Sequence, residues 1–382
     1  MHTAGSLSDI RVIDLSRMLP GPYCSMILAD HGAEVIAIED RRFQKDGLFF
    51  DSINRNKKHM CLNLKAPEGK EIFFKLAGNA DVIIEGFRPG VVKRLGVDYE
   101  SIKEINPGVV YCSITGYGQT GPYRDRAGHD VNYLSTAGIL DLVGPADGPP
   151  SIPGVQFADI AGGSMNAVVG ILLALFSRSA TQKGQYIDIS MTDGLLGYQS
   201  LPYFFSRESG KQPRRSDELL SHRFACYNTY ETGDGRYIAV GAVENRFWKQ
   251  LCDCLKVPDY ADLQYDEEQR EQIIAAFRQL FRKKTADQWE DLLADFDVCS
   301  SRVQTLAETL NHPLFIQRQM VVSHQGRDGV LEKMLGIPIK LSETPGSLRT
   351  APERFGESST NVLLELGYSA EQVEAFRQKE II

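Results

Sequence analysis

The stretch IRVIDLSRMLPGPYCSMILADHGAEVIAIE, residues 10–39, decides the fold. Residues 10–15 are rich in β-branched side chains and predict a strand, and residues 22–30 show the apolar spacing of a helix. Residues 35–39 return to strand character. A strand, a helix and a second strand at this spacing are typical of a βαβ unit, whose two strands run parallel.

The same alternation continues along the chain. Pro67 stands where a helix would begin, residues 71–77 carry its apolar face, and residues 80–85 predict a strand that ends at Gly86. Further strands are predicted over 108–115 and 186–191, with a long apolar helix over 162–177 between them. The pattern predicts an α/β fold with a parallel sheet covered on both faces, and ligands at the carboxyl ends of its strands.

The chain of 382 residues is long enough for two domains. Residues 226–231 and 236–242 flank the turn sequence TGDG and predict a hairpin, with helical segments from about 246 to 300. We therefore expect a large domain over 1–202, a polar linker over 203–224 and a smaller α+β domain over 225–325. Residues 326–382 should return to the large domain and end in a helix near 370–378.

Composition argues against several classes of partner. The formal net charge of −8 gives the surface no general attraction for nucleic acid. The seven cysteines are scattered and contain no CxxC pair, which indicates free thiols in a reducing cytosol and no metal site. The longest apolar run, 167–176, is too short to cross a membrane, and no signal peptide precedes it. A soluble cytoplasmic protein without membrane partners is expected.

Three glycines, Gly116, Gly118 and Gly121, form a GxGxxG run directly after a predicted strand. A dinucleotide-binding turn needs a helix that begins inside such a run, so that its amides can face the pyrophosphate. Residues 122–125 instead continue as a loop. We interpret the run as a loop whose backbone approaches another group closely.

The segment GHDVNY, residues 128–133, places His129 beside Asp130 in a loop that leads into a helix. Histidine titrates near neutrality and can therefore accept or donate a proton. A His-Asp pair that merely caps the helix carries comparable weight.

The segment FADIAGG, residues 157–163, sets Asp159 among apolar residues at the start of the long helix. Partial burial would make this carboxylate a base or a nucleophile, whereas a simple cap is the alternative. We expect Gly162 and Gly163 to allow close approach of a ligand, with their amides stabilising an oxyanion. Glu244, in the segment GAVENR, is a weaker candidate, because a helix cap or a surface acid is the commoner reading.

The sequence resembles the family III CoA-transferase and α-methylacyl-CoA racemase superfamily over nearly its whole length. The resemblance rests on residues 15–22 with the following ILADHGAEVI, on EGFRPG at 85–90, on 113–122 and on 188–194. GHDVNY, ADIAGGSM and GAVE resemble the racemase branch. That branch implies His129 and Asp159 as the two bases and Glu244 as the acid that orients the histidine.

The resemblance also implies an acyl-CoA substrate, no metal, and no cofactor beyond the CoA moiety of that substrate. It implies an interlocked homodimer, in which a Rossmann-like large domain faces the partner's small domain. The residues implied in CoA binding are Arg41, Leu62, Asn63, Leu64, Lys65, Gly86, Phe87, Arg88, Arg94, Gly128, Asp130 and Tyr133. Arginines suit the phosphates of CoA because they form forked hydrogen bonds.

The expected reaction is racemisation at the carbon next to the thioester, through an enolate, with one base on each face. CoA transfer is the main alternative, with Asp159 attacking the thioester. A CoA-binding protein without catalysis is the third possibility, which the presence of all three candidate residues disfavours.

Overall fold

The computed structural model describes residues 5–45, 47–325 and 329–382. The chain forms two compact units. The first contains residues up to 139 together with 153–199 and 313–382, and the second contains 140–152 and 200–312.

The first unit is built on a six-stranded parallel sheet. Its strands are β1 (Arg11–Asp14), β2 (Glu34–Glu39), β3 (Lys57–Cys61), β4 (Val82–Glu85), β5 (Val110–Thr115) and β6 (Gln185–Ser190). They follow the order β3-β2-β1-β4-β5-β6, which is that of a doubly wound nucleotide-binding sheet. The predicted α/β fold with a parallel sheet is confirmed.

Helices connect these strands. They are α1 (Pro20–Asp30), α2 (Pro67–Ala77), α3 (Val91–Leu95), α4 (Tyr99–Ile105), α5 (Asp130–Thr136), α6 (Asn166–Thr181) and α7 (Met191–Gly197). A π-helix over Ala158–Met165 runs directly into α6. Short 3-10 turns occupy Arg41–Phe43 and Asp51–Ile53.

Strand β3 was not expected from the sequence, because Lys57, Lys58 and His59 give it a polar character. The structure buries Lys57 at 2% exposure. Its Nζ donates to the carbonyl of Pro22 at 2.7 Å and to Oδ1 of Asn54 at 3.1 Å. Burial lowers the pKa of Lys57 to about 8. Two fixed acceptors therefore satisfy a buried ammonium group that a hydrophobic pattern does not predict.

The carboxyl-terminal residues complete the core on one face of the sheet. Helices α14 (Ser359–Glu365) and α15 (Ala370–Gln378) pack there, the latter over the range predicted for it. Val362, Leu363 and Ile381 join the cluster around Ile13 and Phe73. The backbone of Asn63 donates to the carbonyl of Ile381 at 2.8 Å. Residues 326–328 of the expected return segment lie outside the described residues.

The second unit pairs a three-stranded antiparallel sheet with helices. Its strands are β7 (Tyr227–Glu231), β8 (Tyr237–Gly241) and β9 (Ser300–Arg302), and β7 and β8 form the predicted hairpin. Its helices are α8 (Ser200–Ser209), α9 (Asn245–Cys254), α10 (Arg270–Phe281), α11 (Ala286–Ala294) and α12 (Leu306–Thr309), with 3-10 turns at Leu140–Leu142 and Pro258–Tyr260. Trp248 stacks on Phe277, and Tyr230 on Phe281, in its core.

The division of the chain differs in detail from the expected domain boundaries. Residues 203–224, expected as a linker, belong to the second unit, and their first residues lie in helix α8. Residues 140–152 also join this unit. Residues 313–325 instead belong to the first unit, where α13 (Pro313–Gln317) precedes the hairpin of β10 (Val321–Gln325) and β11 (Leu331–Leu335).

The π-helix and α6 form one continuous helix of 24 residues, from Ala158 to Thr181. This is longer than the apolar run in the sequence, and by length and composition it would suffice to span a membrane. The same length and composition occur in core helices of proteins that cross no membrane. One face packs against β5 and β6. The opposite side of the helix is exposed and carries Val169, Leu173 and Phe176, whose exposed fractions are 52%, 65% and 79%.

All seven cysteines are free thiols. Cys24, Cys61, Cys112, Cys226 and Cys252 are buried, Cys254 is half-buried and Cys299 is exposed. Burial raises the pKa of every one of them above the ordinary value.

Candidate functional site

His129 is the residue immediately before helix α5, in extended conformation. Asn132 fixes its backbone, because the Oδ1 of Asn132 accepts from the backbone N–H of His129 at 3.0 Å. The N–H of Asn132 in turn donates to the carbonyl of His129 at 2.8 Å. The residue is exposed. Local hydrogen bonds thus hold the backbone of His129 and leave its ring at the surface of the unit.

Asp130 links α5 to the π-helix. Its Oδ2 accepts from the backbone N–H groups of Ala158 at 2.6 Å and Asp159 at 3.1 Å. These are N–H groups of the first helical turn, which need an acceptor from outside the helix. The carboxylate of Asp130 thus caps the π-helix, and its contact with CoA stays a prediction.

Asp159 is the second residue of the π-helix and is partly buried. Burial and, to a smaller extent, the charge of Asp130 raise the pKa of Asp159 to about 6 against the opposing effect of His129. His129 and Asp159 therefore lie within electrostatic reach of each other. A carboxyl group with this pKa is largely ionised at neutral pH and still exchanges protons readily, as a general base requires.

Gly162 and Gly163 serve packing, which corrects the expectation that they face a ligand. A Cβ on Gly162 would lie 2.5 Å from the carbonyl oxygen of Met191, and one on Gly163 would lie 3.0 Å from Cγ of Met191. Both residues are buried inside the π-helix, beyond its first turn. The glycines allow α7 to approach, and an oxyanion site at their amides is not supported.

The ring of Tyr133 packs against two glycines, Gly116 of the GxGxxG run and Gly128. A Cβ on Gly116 would lie 2.3 Å from the ring of Tyr133, and one on Gly128 would lie 2.6 Å from it. The Tyr133 hydroxyl donates to the carbonyl of Gly128 at 2.5 Å. Helix α5 begins well after Gly121, so the run lacks the helix that a dinucleotide site requires. Tyr133 is only 7% exposed, so its ring supports the His129 loop from beneath instead of lining an open CoA site.

Two arginines converge above Gly90, at the end of β4. A Cβ on Gly90 would lie 3.6 Å from Nη1 of Arg94 and 3.7 Å from Nη2 of Arg124. Arg88 is exposed two residues before Gly90. Across the described ranges, no acidic side chain forms an ion pair with Arg88 or Arg94, whereas Arg124 lies 3.4 Å from Asp125. Arg124 was not predicted from the sequence. The pair of basic residues Arg124 and Arg126 was the feature that could have indicated it.

The remaining predicted CoA contacts divide into exposed and buried residues. Lys65 and Gly86 are exposed, and Asn63 and Phe87 are partly buried. Leu62 and Leu64 are 2% and 9% exposed in the core cluster, so their side chains cannot line a ligand site as expected. The guanidinium group of Arg41 donates to the carbonyl of Ile382.

Glu244 lies in the second unit, at the junction of β8 and α9. It occupies the position before the first residue of α9 and is exposed, but its side chain forms no capping hydrogen bond. Its charge contributes to the raised pKa of Cys299, after burial. Glu244 therefore stands at the N-cap position of α9, but its side chain does not cap the helix.

The matches to known proteins agree with this fold. The model of CoA-transferase family III matches residues 7–359. The mouse α-methylacyl-CoA racemase is 34% identical over 382 residues, covering 98% of this chain and 97% of its own. An acyl-CoA transferase of Fusarium pseudograminearum is 31% identical over 407 residues, covering 99% of this chain and 88% of its own.

Among solved structures, a CAIB/BAIF family protein from Brucella suis matches with a TM-score of 0.84 and 30% identity, covering 95% of this chain and all of that one. The chain therefore belongs to CoA-transferase family III, a family of enzymes whose members include racemases and CoA-transferases. Identity to the two kinds of relative is similar, so the activity must be argued from the site.

Proposed function

We propose that the protein is an acyl-CoA racemase that inverts the carbon next to the thioester of a 2-methylacyl-CoA. The observation that carries the proposal is the pairing of His129 with Asp159. An imidazole and a carboxyl group whose pKa is raised to about 6 stand within electrostatic reach of each other. Inversion through a planar enolate needs a base on each face, and a transferase nucleophile alone does not need the histidine.

In the proposed reaction, one of the two bases removes the α-proton, and the electron pair passes into the thioester to form an enolate. The other base donates its proton to the opposite face of the same carbon. When His129 removes the proton and Asp159 donates one, the turnover ends with His129 protonated and Asp159 ionised; in the opposite direction it ends with both groups neutral. Glu244 would accept a hydrogen bond from the imidazole and orient it. No cofactor beyond the CoA of the substrate takes part.

The residues proposed to bind the substrate are chosen by their positive charge, which suits the phosphate groups of CoA. Arg94 and Arg124 flank one space above Gly90, and a phosphate group of CoA placed there would receive hydrogen bonds from both. Arg88, Lys65 and Arg41 surround the carboxyl ends of neighbouring strands. Ligands of doubly wound sheets bind at these strand ends.

The proposal includes a homodimer in the cytoplasm. The exposed apolar face of α6, which carries Val169, Leu173 and Phe176, supports association with a second copy. Free thiols throughout the chain suit a reducing compartment.

CoA transfer is the second candidate. Asp159 would attack the thioester carbonyl, release the CoA thiolate and form a mixed anhydride. The thiolate would then attack the aspartyl carbonyl, release the donor acid and leave an aspartyl-CoA thioester, from which CoA passes to the acceptor acid. The relative from Fusarium pseudograminearum, named an acyl-CoA transferase, favours this reading. It assigns no proton transfer to His129.

The two functions are separated by incubation with a 2-methylacyl-CoA in heavy water. A racemase incorporates deuterium at the α-carbon and inverts it, and His129→Ala and Asp159→Ala each abolish the inversion. Absence of exchange by a preparation that binds CoA overturns the proposal. Hydroxylamine trapping of an adduct at Asp159, with CoA exchange between two acids, would establish the transferase instead.

A further inference from the structure

The turn between β8 and α9 carries Glu244, yet the side chain of Glu244 does not hold the turn in place. Its own side chain makes no capping hydrogen bond to α9. An acid that must orient an imidazole needs a fixed backbone, because a side chain on a loose turn samples many positions. The conformation of this turn must therefore be held by other residues.

Gln264 supplies these contacts from outside the turn. It is 5% exposed, and its Nε2 donates to the carbonyls of Ala242 at 3.0 Å and Val243 at 2.7 Å. Its Oε1 accepts from Nδ2 of Asn245 at 3.1 Å. One buried amide thus bonds to the residues on both sides of Glu244. Only the amide nitrogen can face the two carbonyls, so its orientation is set by chemistry.

Tyr265 adds a second contact to the same turn. Its hydroxyl donates to the carbonyl of Val243 at 2.5 Å, and its ring packs edge-on against Phe224 at 5.3 Å. The carbonyl of Val243 therefore accepts two side-chain hydrogen bonds. Both donors come from the segment between the turn Pro258–Tyr260 and helix α10, which lies in the same unit.

We propose that Gln264 is a positioning residue for catalysis: it clamps the turn at 242–245 so that Glu244 is presented in one orientation to the imidazole it serves. The proposal rests on the proposed function, in which Glu244 orients the catalytic histidine. Gln264 touches neither substrate nor reacting atoms and acts only through Glu244.

The test uses Gln264→Glu, which keeps the shape of the side chain but turns a carboxylate oxygen toward two carbonyl oxygens. The full chain is assayed for α-deuterium exchange with a 2-methylacyl-CoA. We expect kcat to fall about 10- to 100-fold while KM changes less than about 3-fold. Asn228→Asp is the matched control. Asn228 is another 5% exposed amide of this unit and lies opposite Val240 in the hairpin. Its Nδ2 donates to the carbonyl of His222 at 3.1 Å and its Oδ1 accepts from the backbone N–H of Thr229, so its side-chain bonds go to residues other than 242–245.

The decisive measurement is a double-mutant cycle with Glu244→Gln. If Gln264 acts through Glu244, its substitution costs little further activity once Glu244→Gln is present. If Gln264→Glu lowers kcat by the same factor in the wild type and in Glu244→Gln, the role of Gln264 is merely structural. The same conclusion follows if Asn228→Asp lowers kcat as much as Gln264→Glu does. Either result overturns the clamp and leaves the proposed function standing. Full activity of Glu244→Gln overturns the role of Glu244 and the clamp with it.

Discussion

The carboxylate of Asp130 lies 3.1 Å from the backbone nitrogen of Asp159 and accepts a hydrogen bond from it. A negative charge at the start of a helix is stabilised by the free N–H groups there. The same charge disfavours ionisation of the Asp159 side chain and, after burial, contributes to raising its pKa to about 6. Asp130 thus both holds the backbone of Asp159, the second proposed base, and raises the pKa of its carboxyl group.

Asp130→Asn tests this coupling. The amide oxygen of asparagine can still cap the helix, but the negative charge is gone, so the pKa of Asp159 should fall below about 6. Because Asp159 must be ionised to act as a base, the acid limb of the kcat profile should move to lower pH. The profile of α-deuterium exchange between pH 4.5 and 8 measures this, with Asp51→Asn, an exposed carboxylate, as control. A limb that stays in place or moves to higher pH contradicts the coupling.

Gly162→Ala should destabilise the first unit. The added Cβ would lie 2.5 Å from a backbone carbonyl that cannot move without shifting α7, and such overpacking costs about 1–3 kcal/mol. Gly197→Ala is the matched control on α7, because no atom lies within 4 Å of its added Cβ. It should change stability by less than about 1 kcal/mol. Urea denaturation gives both values, and equal stability of the two variants would refute the packing role.

Arg124→Ala and Arg94→Ala should each weaken binding of CoA. A hydrogen bond to a charged group contributes about 1.5–3 kcal/mol, so each loss should raise Kd roughly tenfold or more. Calorimetric titration with CoA, with CoA lacking its 3′-phosphate and with pantetheine identifies the phosphate involved. Pantetheine binding should not change, and neither should CoA binding by Arg207→Ala, an exposed arginine of the second unit. Weaker binding of pantetheine would show a general disturbance of the fold.

Leu173→Glu combined with Phe176→Glu should abolish the proposed dimer. Burying two carboxylates in an apolar interface is costly, so association should be lost while the fold of the unit persists. Sedimentation equilibrium gives the mass, and Leu364→Glu, at 45% exposure on α14, is the control. A wild-type protein that sediments as a monomer, or a double variant that remains dimeric, removes the assignment of α6 as the interface.

The parallel sheet could be predicted because its central strands are buried on both faces and read as β-branched runs. Strand β3 could not, because Lys57 and His59 are buried with partners that only the folded chain brings near. Periodicity likewise indicated a long helix but could not show that its first turns are π-helical, since apolar composition is the same in either form.

For the site, residue types were enough to select His129 and Asp159 as candidates. The contacts of the residues next to them could not be predicted from the sequence. Asp130 adjoins His129 in sequence, yet its carboxylate bonds 28 residues further on. Gly162 and Gly163 suit either a ligand or a packed helix, and Met191 decides between them. Nothing in the sequence around Gln264 indicates its contacts, because both of its acceptors lie more than twenty residues away.

The raised pKa values of the cysteine thiols have a consequence for an enzyme that handles thioesters. An acyl-CoA is an activated acyl donor, and a thiolate within reach would capture its acyl group in place of the intended chemistry. All seven thiols have a raised pKa, so each carries less thiolate at neutral pH than an ordinary cysteine. The raised pKa values thereby lower the tendency of these thiols to be acylated by the compounds that the chain is proposed to bind.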